Sequence, residues 1–195
     1  MKIKSIFAVV LLALAVNVSA QVGIQAGYVN VTDKFTNTSS EVNGFNFGPV
    51  GEFGLVKNLD LRYGFLYTLL ADSKEGLLST TTTYTGHFVD VPVQAQFSFP
   101  VNNLIKVFAF GGPTLNLGLA QTTVTKGGSV EVSVNHYEAN DKLSRFDVKL
   151  GLGAGVRFSN FEVRAGYDWG MLDLDGRDNL TQHRNQLTAA LVYHL

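Results

Sequence analysis

The sequence lacks cysteine altogether and has only four prolines, two methionines and one tryptophan among its 195 residues. Without cysteine, disulfide bonds and thiol chemistry are excluded, and so is a lipid anchor on an N-terminal cysteine. Charged residues are also scarce, at 16%, and the formal net charge of −1 offers no basic surface for nucleic acid. We therefore expect no nucleic-acid partner.

The first 20 residues have the pattern of a secretory signal peptide. Lys2 and Lys4 precede an uncharged apolar stretch, and small residues lead to Ala20. The apolar stretch is shorter than the roughly 20 residues that a membrane-spanning helix needs. The sequence thus predicts a signal peptide over residues 1–20 and a single domain over residues 21–195, whose formal net charge is −3 once the two lysines are removed.

The rest of the chain alternates apolar residues with polar residues or glycine, at the period of two that is typical of β-strands. Between Phe146 and Phe158 the even positions are apolar, whereas the odd positions are charged or glycine. The same pattern predicts eight strands: Val22–Thr32, Phe45–Leu55, Leu59–Leu69, Val89–Phe99, Ile105–Leu117, Phe146–Phe158, Phe161–Met171 and Leu187–Leu195. Bacterial outer-membrane barrels have an even number of strands of about this length.

The segments between the predicted strands alternate between short and long. The short ones are 57–58, 100–103 and 159–160, and the long polar ones are 33–43, 72–83, 121–143 and 173–183. Short periplasmic turns and long external loops are typical of outer-membrane barrels. With eight strands, this order predicts that both ends of the mature chain lie on the periplasmic side of the barrel.

The placement of charge favours a barrel in a membrane over a soluble β-sandwich. No charged residue lies on an apolar row, and aromatic residues gather near both ends of the strands, as in the interfacial girdles of membrane barrels. In a sandwich, the apolar rows would face each other and the polar rows would face water. We expect an all-β, eight-stranded antiparallel up-and-down transmembrane β-barrel in the outer membrane of a Gram-negative cell, surrounded by outer-membrane lipid.

Charged residues of both signs occupy the polar rows, six acids and six bases. Eight strands enclose only enough room for side chains, so these charges should pair inside the lumen. A narrow ion path, or a buried acid–base pair with a shifted pKa, is the functional alternative. The predicted lumen charge network consists of Glu52, Arg62, Asp90, Arg145, Asp147, Lys149, Arg157, Glu162, Arg164 and Asp168, and the same rows contain Asp60 and Lys106.

No metal or cofactor motif is present in the sequence. The histidines at 87, 136, 183 and 194 lie on separate elements, whereas metal sites need clustered ligands. Asp173, Asp175 and Asp178 do not have the spacing of an EF-hand loop. The alternating glycines between 151 and 155 lie within a strand that no helix follows, which excludes a nucleotide-binding loop. We predict no metal site and no cofactor.

A hydrolytic site at the external rim is an alternative that residue types alone permit. His183, Asp178 and either Ser73 or Ser79 lie in or beside the predicted external loops. No spacing along the chain brings them together, and geometry is the test for such a site. We therefore predict no catalytic residues and no enzymatic activity.

Four short motifs lie on the predicted strands: Phe88-Val89-Asp90-Val91-Pro92-Val93, Phe108-Ala109-Phe110-Gly111-Gly112-Pro113, the row of Gly151, Gly153 and Gly155, and Tyr167 followed by Gly170-Met171. Together they resemble the outer-membrane β-barrel family of Bacteroidetes that includes the PorT-like proteins. The resemblance covers Val22 to Leu195 and implies a barrel that the barrel-insertion machinery assembles. The last strand departs from the usual pattern, since it ends in Leu195 where outer-membrane proteins usually have an aromatic residue.

The longest predicted loop, 121–143, has an alternating pattern of its own around Val130, Val132 and Val134. This pattern is typical of a hairpin that projects beyond the membrane, where a free strand edge can receive a protein partner. An inert polar loop is the alternative. We expect a monomeric barrel with a filled lumen and a structural or surface-interaction role, assisting secretion or envelope assembly. A porin-like pore for ions or small solutes, and a periplasmic barrel that binds a hydrophobic ligand, are the alternatives.

Overall fold

The computed structural model describes residues 21–36, 38–75, 80–127, 130–139, 143–176 and 181–195, most of which form one antiparallel sheet. The predicted signal peptide lies outside the described residues. The strands are β1 (Gln21–Phe35), β2 (Ser39–Val56), β3 (Leu59–Gly64), β4 (Leu66–Glu75), β5 (Thr80–Pro100), β6 (Ile105–Gly127), β7 (Val130–Asn135), β8 (Phe146–Phe158), β9 (Phe161–Gly170) and β10 (Gln182–His194), with one short helix, α1 (His136–Ala139). None of the described helical residues forms a segment long and apolar enough to cross a membrane.

The sheet closes on itself because β1 pairs with β10 from Gly23↔His194 to Phe35↔Gln182. Strands β3 and β4 together form one barrel strand that is interrupted at Phe65, because both pair with β2 and with β5. Among the described residues β7 pairs only with β6 and is not part of the closed ring. The ring therefore consists of eight barrel strands, and the predicted antiparallel up-and-down barrel is confirmed.

Side chains face inward or outward by the alternation that the sequence predicted. On β8, Leu150 and Leu152 are 49% and 61% exposed, whereas Asp147 and Lys149 are each only 1% exposed. Polar groups thus fill the interior and apolar groups cover the outside, the opposite of a soluble protein. Such an outer surface is stable in hydrocarbon, where the closed ring also pairs its backbone groups. This arrangement contradicts the alternative of a periplasmic barrel with an apolar interior.

Exposed or half-buried aromatic residues border the apolar surface at both ends. The outer girdle contains Tyr28, Phe45, Tyr67, Phe146 and Trp169, and the periplasmic girdle contains Phe97, Phe99, Phe158, Phe161 and Tyr193. Several are in ring contact, such as Tyr28 with Phe45 at 6.2 Å and Phe161 with Tyr193 at 5.1 Å between centroids. These two bands mark where the strands leave the hydrocarbon.

The periplasmic turns are as short as predicted. Asn58 and Ser159 adopt left-handed backbone conformations with φ of 68° and 53°, as tight hairpin turns require. Residues 101–104 form the third turn, in which the Asn102 side chain accepts hydrogen bonds from the backbone N–H groups of Leu104 and Ile105. These turns fix the register of the neighbouring strands at this end.

The long external segments differ from the prediction, because much of what was predicted as loop is strand. Strands β4, β5 and β6 continue past the outer girdle to Glu75, Thr80 and Gly127, and pairs such as Thr80↔Gly127 extend the ladder. These segments are rich in threonine, which is polar but favours strands. Polarity alone was therefore a misleading sign of a loop. The hairpin predicted within 121–143 is confirmed, since β6 and β7 pair from Thr122↔Asn135 to Gly127↔Val130.

Beyond the membrane the ring separates into two sheets. The last pair between β2 and β4 is Gly44↔Leu70, whereas β4 stays paired with β5 as far as Glu75↔Thr81. We call the upper parts of β4, β5 and β6 together with β7 the outer sheet. The upper parts of β10, β1 and β2 form the second sheet. A cleft between these two sheets opens to the outside.

Candidate functional site in the lumen and the outer vestibule

A single carboxylate organises the periplasmic half of the lumen. Glu162 is 1% exposed, and its oxygens accept hydrogen bonds from Arg62 Nη1 at 2.7 Å, Arg157 Nη2 at 2.6 Å and Arg164 Nη1 at 3.2 Å. The imidazole Nε2 of His194 lies 3.1 Å from the same carboxylate. Four strands of the ring are thereby tied together through one side chain.

Glu52 is the second acid of this group. It accepts a hydrogen bond from Arg157 Nη2 at 2.5 Å and lies 3.5 Å from Arg62 Nη1. Glu52, Arg62, Arg157, Glu162 and Arg164 form what we call the arginine–glutamate cluster. Its three guanidinium groups outnumber its two carboxylates, so with a neutral His194 the cluster has a net charge of +1.

Neutral amides accept the remaining hydrogen bonds of the arginines. Arg62 Nη2 donates to Gln25 Oε1 at 2.7 Å, and Arg164 Nη2 donates to Gln94 Oε1 at 2.9 Å. A buried charge is costly unless it is paired and hydrogen-bonded. The glutamines on the inner rows of β1 and β5 therefore belong to the network as much as the charged residues do.

A second group lies further towards the outside, around Asp90. This carboxylate accepts hydrogen bonds from Lys149 Nζ at 3.3 Å, Asn116 Nδ2 at 2.8 Å and Thr68 Oγ1 at 2.6 Å. Lys149 Nζ also donates to Gln186 Oε1 at 2.7 Å. The ammonium group and the carboxylate are both buried and both have neutral partners.

Asp168 and Asp147, both predicted to lie in the lumen, have weaker contacts. Asp168 Oδ1 accepts a hydrogen bond from Thr114 Oγ1 at 3.3 Å. Asp147 is 1% exposed, and its Oδ1 accepts a hydrogen bond from the backbone N–H of Leu172 at 3.4 Å. Neither carboxylate forms an ion pair with the basic residues of the predicted network among the described contacts.

Arg145 lies outside the lumen, contrary to the sequence prediction. Strand β8 begins at Phe146, so the alternation of that strand does not govern Arg145. Its exposed side chain donates to the carbonyl oxygen of Leu119 at 3.0 Å and lies 4.2 Å from the ring centroid of Tyr137. Asp60 and Lys106, on the same predicted rows, have no ion pair among the described residues.

Little space remains between the two charged groups. A cavity of about 50 Å³ lies there, with Arg62, Asp90 and Arg164 among its lining residues. A cavity of this size has room for only a few water molecules. The side chains fill the lumen, as expected for eight strands.

An apolar layer closes the lumen at its outer end. It consists of Val29, Val31, Val42, Leu70 and Phe88, which are buried together on the inner rows. Arg184 lies above this layer, with its guanidinium carbon 4.7 Å from the ring centroid of Phe88. An ion moving along the barrel axis would have to cross both this layer and the arginine–glutamate cluster.

The buried ion pair between Asp33 and Arg184 was not predicted. Arg184 donates to the two oxygens of Asp33 at 2.8 Å and 3.0 Å, a bidentate geometry that is strong for this pair. Asp33 was assigned to a loop and Arg184 to no element. Val29, Val31 and Asp33 all face inward on β1. Extending the alternating pattern of this strand by one residue beyond Thr32 would therefore have placed Asp33 inside the barrel.

The cleft above this ion pair, which we call the outer vestibule, is a cavity of about 580 Å³. Hydroxyl and amide groups, a few apolar side chains and several charged side chains line it. Its lining residues are Asp33, Phe35, Ser40, Val42, Asp72, Lys74, Thr82, Tyr84, Gln121, Thr123, His136, Ala139, Leu143, Asp175 and Gln182. A cavity of this size lies within the range of small-molecule sites.

Helix α1 closes one side of the vestibule and is anchored by Tyr137. That side chain is 8% exposed and packs over Gly118, where any added Cβ would overlap its hydroxyl. Gln121 Nε2 donates a hydrogen bond to the Tyr137 hydroxyl at 2.8 Å. Helix α1 is thus held in the barrel mouth by Tyr137, which fills the space that the missing side chain of Gly118 leaves open.

Tyr84 and His136 line the vestibule side by side, and their rings are in edge-to-face contact with centroids 6.1 Å apart. Burial raises the pKa of Tyr84 to about 12, so its hydroxyl stays protonated, and that buried hydroxyl has no hydrogen-bond partner among the described residues. Burial lowers the pKa of His136, with a smaller contribution from Arg184. His136 Nε2 lies 2.8 Å from Thr123 Oγ1.

Acidification should weaken the fold through His136. Its pKa is lower in the folded protein than in the unfolded chain, where it is about 6.5, so the unfolded chain binds the proton more readily. Stability should be unaffected by this group well above pH 6.5 and should fall as the pH drops through that value. Urea unfolding in lipid vesicles at pH 8, 6.5 and 5 measures this, and His136→Gln should reduce the pH dependence. An unchanged dependence in the variant would contradict the assignment.

Of the alternative catalytic residues, Ser73 and His183 are described by the structure, and the fold does not bring these two together. Ser73 Oγ lies 3.3 Å from Thr83 Oγ1 on the outer sheet. His183 pairs with Lys34 on β1, and β1 and β2 separate its strand from that of Ser73. Asp178 and Ser79 lie outside the described residues, as do parts of the acidic loop between 173 and 183.

One group of potential metal ligands exists among the described residues: Glu52, Glu162 and His194, with ligand atoms within 4.8 Å of one another. The arginine–glutamate cluster already uses both carboxylates to pair its guanidinium groups. A divalent cation would have to displace these arginines and add charge to a buried cluster that is already positive. These residues therefore do not suit a metal ion.

Comparisons with known proteins agree with the architecture. The family model described as outer membrane protein beta-barrel domain matches residues 11–176. No curated protein sequence matches the chain.

The solved structures to which the chain is similar include the following three proteins. Ail of Yersinia pestis, in complex with the heparin analogue sucrose octasulfate, is 16% identical with a TM-score of 0.48, over 91% of this chain and 100% of that chain. Neisserial surface protein A has the same identity, coverage and TM-score. The outer membrane enzyme PagL is 12% identical with a TM-score of 0.47, over 87% of this chain and 99% of that chain.

Proposed function

Because the chain belongs to the outer membrane protein beta-barrel domain family, we propose that it is a non-conducting anchor in the outer membrane that presents the outer sheet to a protein partner. The observation that carries this proposal is the free edge of β7, which among the described residues pairs on one side only. The barrel holds this edge beyond the outer girdle, away from the membrane.

The filled lumen supports an anchor over a pore. Two buried charged groups and the apolar layer lie one above another along the barrel axis, and the cavity between the charged groups is about 50 Å³. The purified protein should therefore give no steady conductance in planar lipid bilayers at neutral pH. Regular single-channel steps that scale with protein amount would favour the alternative of an ion or small-solute pore.

The edge of β7 has the properties that allow an extended peptide to add as another strand. Val132 and Val134 are exposed, and Glu131 on the same strand is paired across to Lys126 at 3.2 Å. The described part of β7 has no proline and no inward-pointing charge, two devices that usually block such edges. We propose that an extended segment of a partner protein pairs with this edge, with main-chain hydrogen bonds providing affinity.

Photo-crosslinking in living cells tests the docking proposal. A photoreactive amino acid replaces Ser133 on β7 or, as the control, Thr83 in the middle of the outer sheet. The proposal predicts a defined protein adduct at Ser133 and none at Thr83. A synthetic peptide of the crosslinked segment should then bind the purified barrel, and Val132→Lys should weaken that binding at least fivefold. Identical adducts at both positions, or a peptide that binds V132K as well as the parent, would overturn it.

The finer assignments follow from the same proposal. We propose that residues 1–20 are removed as a signal peptide, that the barrel-insertion machinery assembles the mature protein as a monomer, and that its role is structural or interactive rather than enzymatic. The motifs shared with the PorT-like proteins support a place among them and a contribution to secretion or envelope assembly. We expect deletion of the gene to cause a defect in the envelope or in secretion. The parent gene should correct this defect, whereas the V132K variant should not.

A further inference from the structure

We propose that the outer vestibule is a binding site for a neutral, hydroxyl-rich ligand the size of one or two sugar rings. The site is separate from the edge of β7, and its occupancy does not depend on a protein partner. Its shape, its two ion pairs and the unpartnered hydroxyl of Tyr84 each support this assignment.

The shape of the vestibule follows from the separation of the two sheets. Its floor is the Asp33–Arg184 ion pair, and its opposing walls are the inner faces of β2 and of the outer sheet. The third wall is built from α1 and from the bridge between Leu143 and Asp175. The cavity of about 580 Å³ is therefore a concave site with a fixed floor, as small-molecule sites usually are.

Two ion pairs lie at the vestibule. Arg184 holds Asp33 by two hydrogen bonds, and Lys74 Nζ lies 3.7 Å from Asp72 Oδ2. An anionic ligand would have to compete with Asp33 for the guanidinium group, and a cationic ligand would have to compete with Arg184 or Lys74. These two ion pairs therefore favour a ligand without formal charge.

The groups that remain available are suited to hydroxyl groups and to sugar ring faces. Ser40, Thr82 and Gln182 contribute short donors and acceptors, while Phe35 and Val42 contribute apolar surface. A sugar ring presents hydroxyl groups around its edge and carbon-bound hydrogens on its faces, so it needs both kinds of contact. Convergent polar groups on a partly apolar wall are what give such sites their specificity.

The hydroxyl group of Tyr84 is independent evidence for a ligand, because it lacks a hydrogen-bond partner among the described residues. This hydroxyl is buried, and buried hydroxyl groups are nearly always paired. Tyr84 belongs to the lining of the vestibule together with His136, which contacts its ring. A ligand hydroxyl or a ligand-held water would satisfy this group.

Saturation-transfer NMR on the full mature barrel in lipid nanodiscs tests the proposal, with no sugar-based detergent present. The probes are glucose, galactose, N-acetylglucosamine, maltose and lactose, each at millimolar concentration. We expect saturation transfer to at least one of them, together with a measurable dissociation constant. Failure of all five to show transfer above that of a barrel-free nanodisc would overturn the proposal.

Two substitutions on neighbouring residues of β5 locate the binding. Thr82 faces the vestibule, whereas Thr83 faces the opposite side of the outer sheet and contacts Ser73. Thr82→Trp should fill the cavity and weaken binding at least tenfold, while Thr83→Trp should leave it unchanged. Tyr84→Phe should weaken binding by roughly twofold to tenfold, the effect of one hydrogen bond. Equal binding by T82W and the parent would show that the sugar binds elsewhere and would overturn the assignment.

The source of the sugar is distinguished by a second ligand series. Oligosaccharides released from the outer-leaflet glycolipid of the same cells are compared with the free sugar that binds best. Binding at least tenfold tighter for the oligosaccharide would support a glycan of the envelope as the ligand, and equal binding would support a free sugar.

Heat-modifiable electrophoresis of every variant confirms that the barrel is folded. Loss of sugar binding with intact crosslinking at Ser133 would separate this site from the proposed docking edge.

Discussion

Glu162→Gln should lower the free energy of unfolding by roughly 3–5 kcal/mol, the usual effect of removing one partner from a buried ion pair. Three guanidinium groups donate to this carboxylate, and its removal leaves them with Glu52 as the one acid of the cluster. The amide of glutamine keeps the shape of the side chain but not its charge, so the effect reports electrostatics rather than packing. Urea unfolding in lipid vesicles, followed by the fluorescence of Trp169, measures it.

An exposed ion pair provides the matched control. Lys126 and Glu131 lie 3.2 Å apart on the β6–β7 hairpin, and both side chains are mostly exposed. Solvent-exposed pairs of this kind contribute between zero and about 1 kcal/mol. Glu131→Gln should therefore change stability little. Equal effects of E131Q and E162Q would contradict the claim that the lumen charges act as a buried network.

Gly153→Val should prevent the barrel from closing, with a loss of at least about 3 kcal/mol, at the upper end of the usual range for an added side chain in a packed interior. An added Cβ at this position would overlap the ring of Phe110 and the carbonyl oxygen of Ala165 on β9. The ring is fixed in turn by Arg164, whose guanidinium carbon lies 3.9 Å from its centroid. Neither the ring nor the backbone oxygen can move without disturbing the sheet.

The neighbouring residue gives a control for this substitution on the same strand. Ala154 faces outward and is exposed, so Ala154→Val adds the same kind of bulk towards lipid. A154V should keep the heat-modifiable mobility of the parent on electrophoresis, whereas G153V should lose it. Normal folding of G153V would mean that the lumen has room for a side chain there, contrary to its filled state.

The barrel itself could be predicted from the sequence because the period of two is unusually regular on the central strands. On β8 and β9, each predicted inward residue from Asp147 to Arg157 and from Glu162 to Asp168 lies on the inner face, and the turn at Ser159-Asn160 is where the pattern breaks. Charge placement then fixed which face meets lipid, since only the inner face can hold it. Pattern alone therefore predicted the strand count, the direction of the faces and the short turns.

The outer vestibule could not be predicted in the same way. Its walls are polar strands, and the polarity of Thr80 to Thr85 was a poor guide where threonine's preference for strands decided the structure. Its floor depends on Asp33 and Arg184, which are 151 residues apart and meet only because β1 and β10 close the ring. Arg145 shows the opposite error, since it lies one residue before its strand begins.

Quenching of Trp169 by brominated lipids tests the central claim most directly, namely that the apolar rows face the membrane. Trp169 is the one tryptophan of the sequence, belongs to the outer girdle and is 41% exposed. Bromine near the headgroups should quench its fluorescence more strongly than bromine near the bilayer centre. In the double variant W169F/L152W, the tryptophan at position 152 should show the reverse order, because Leu152 lies between the two girdles. Quenching by aqueous acrylamide with no response to either brominated lipid would contradict the orientation of the faces and the account built on it.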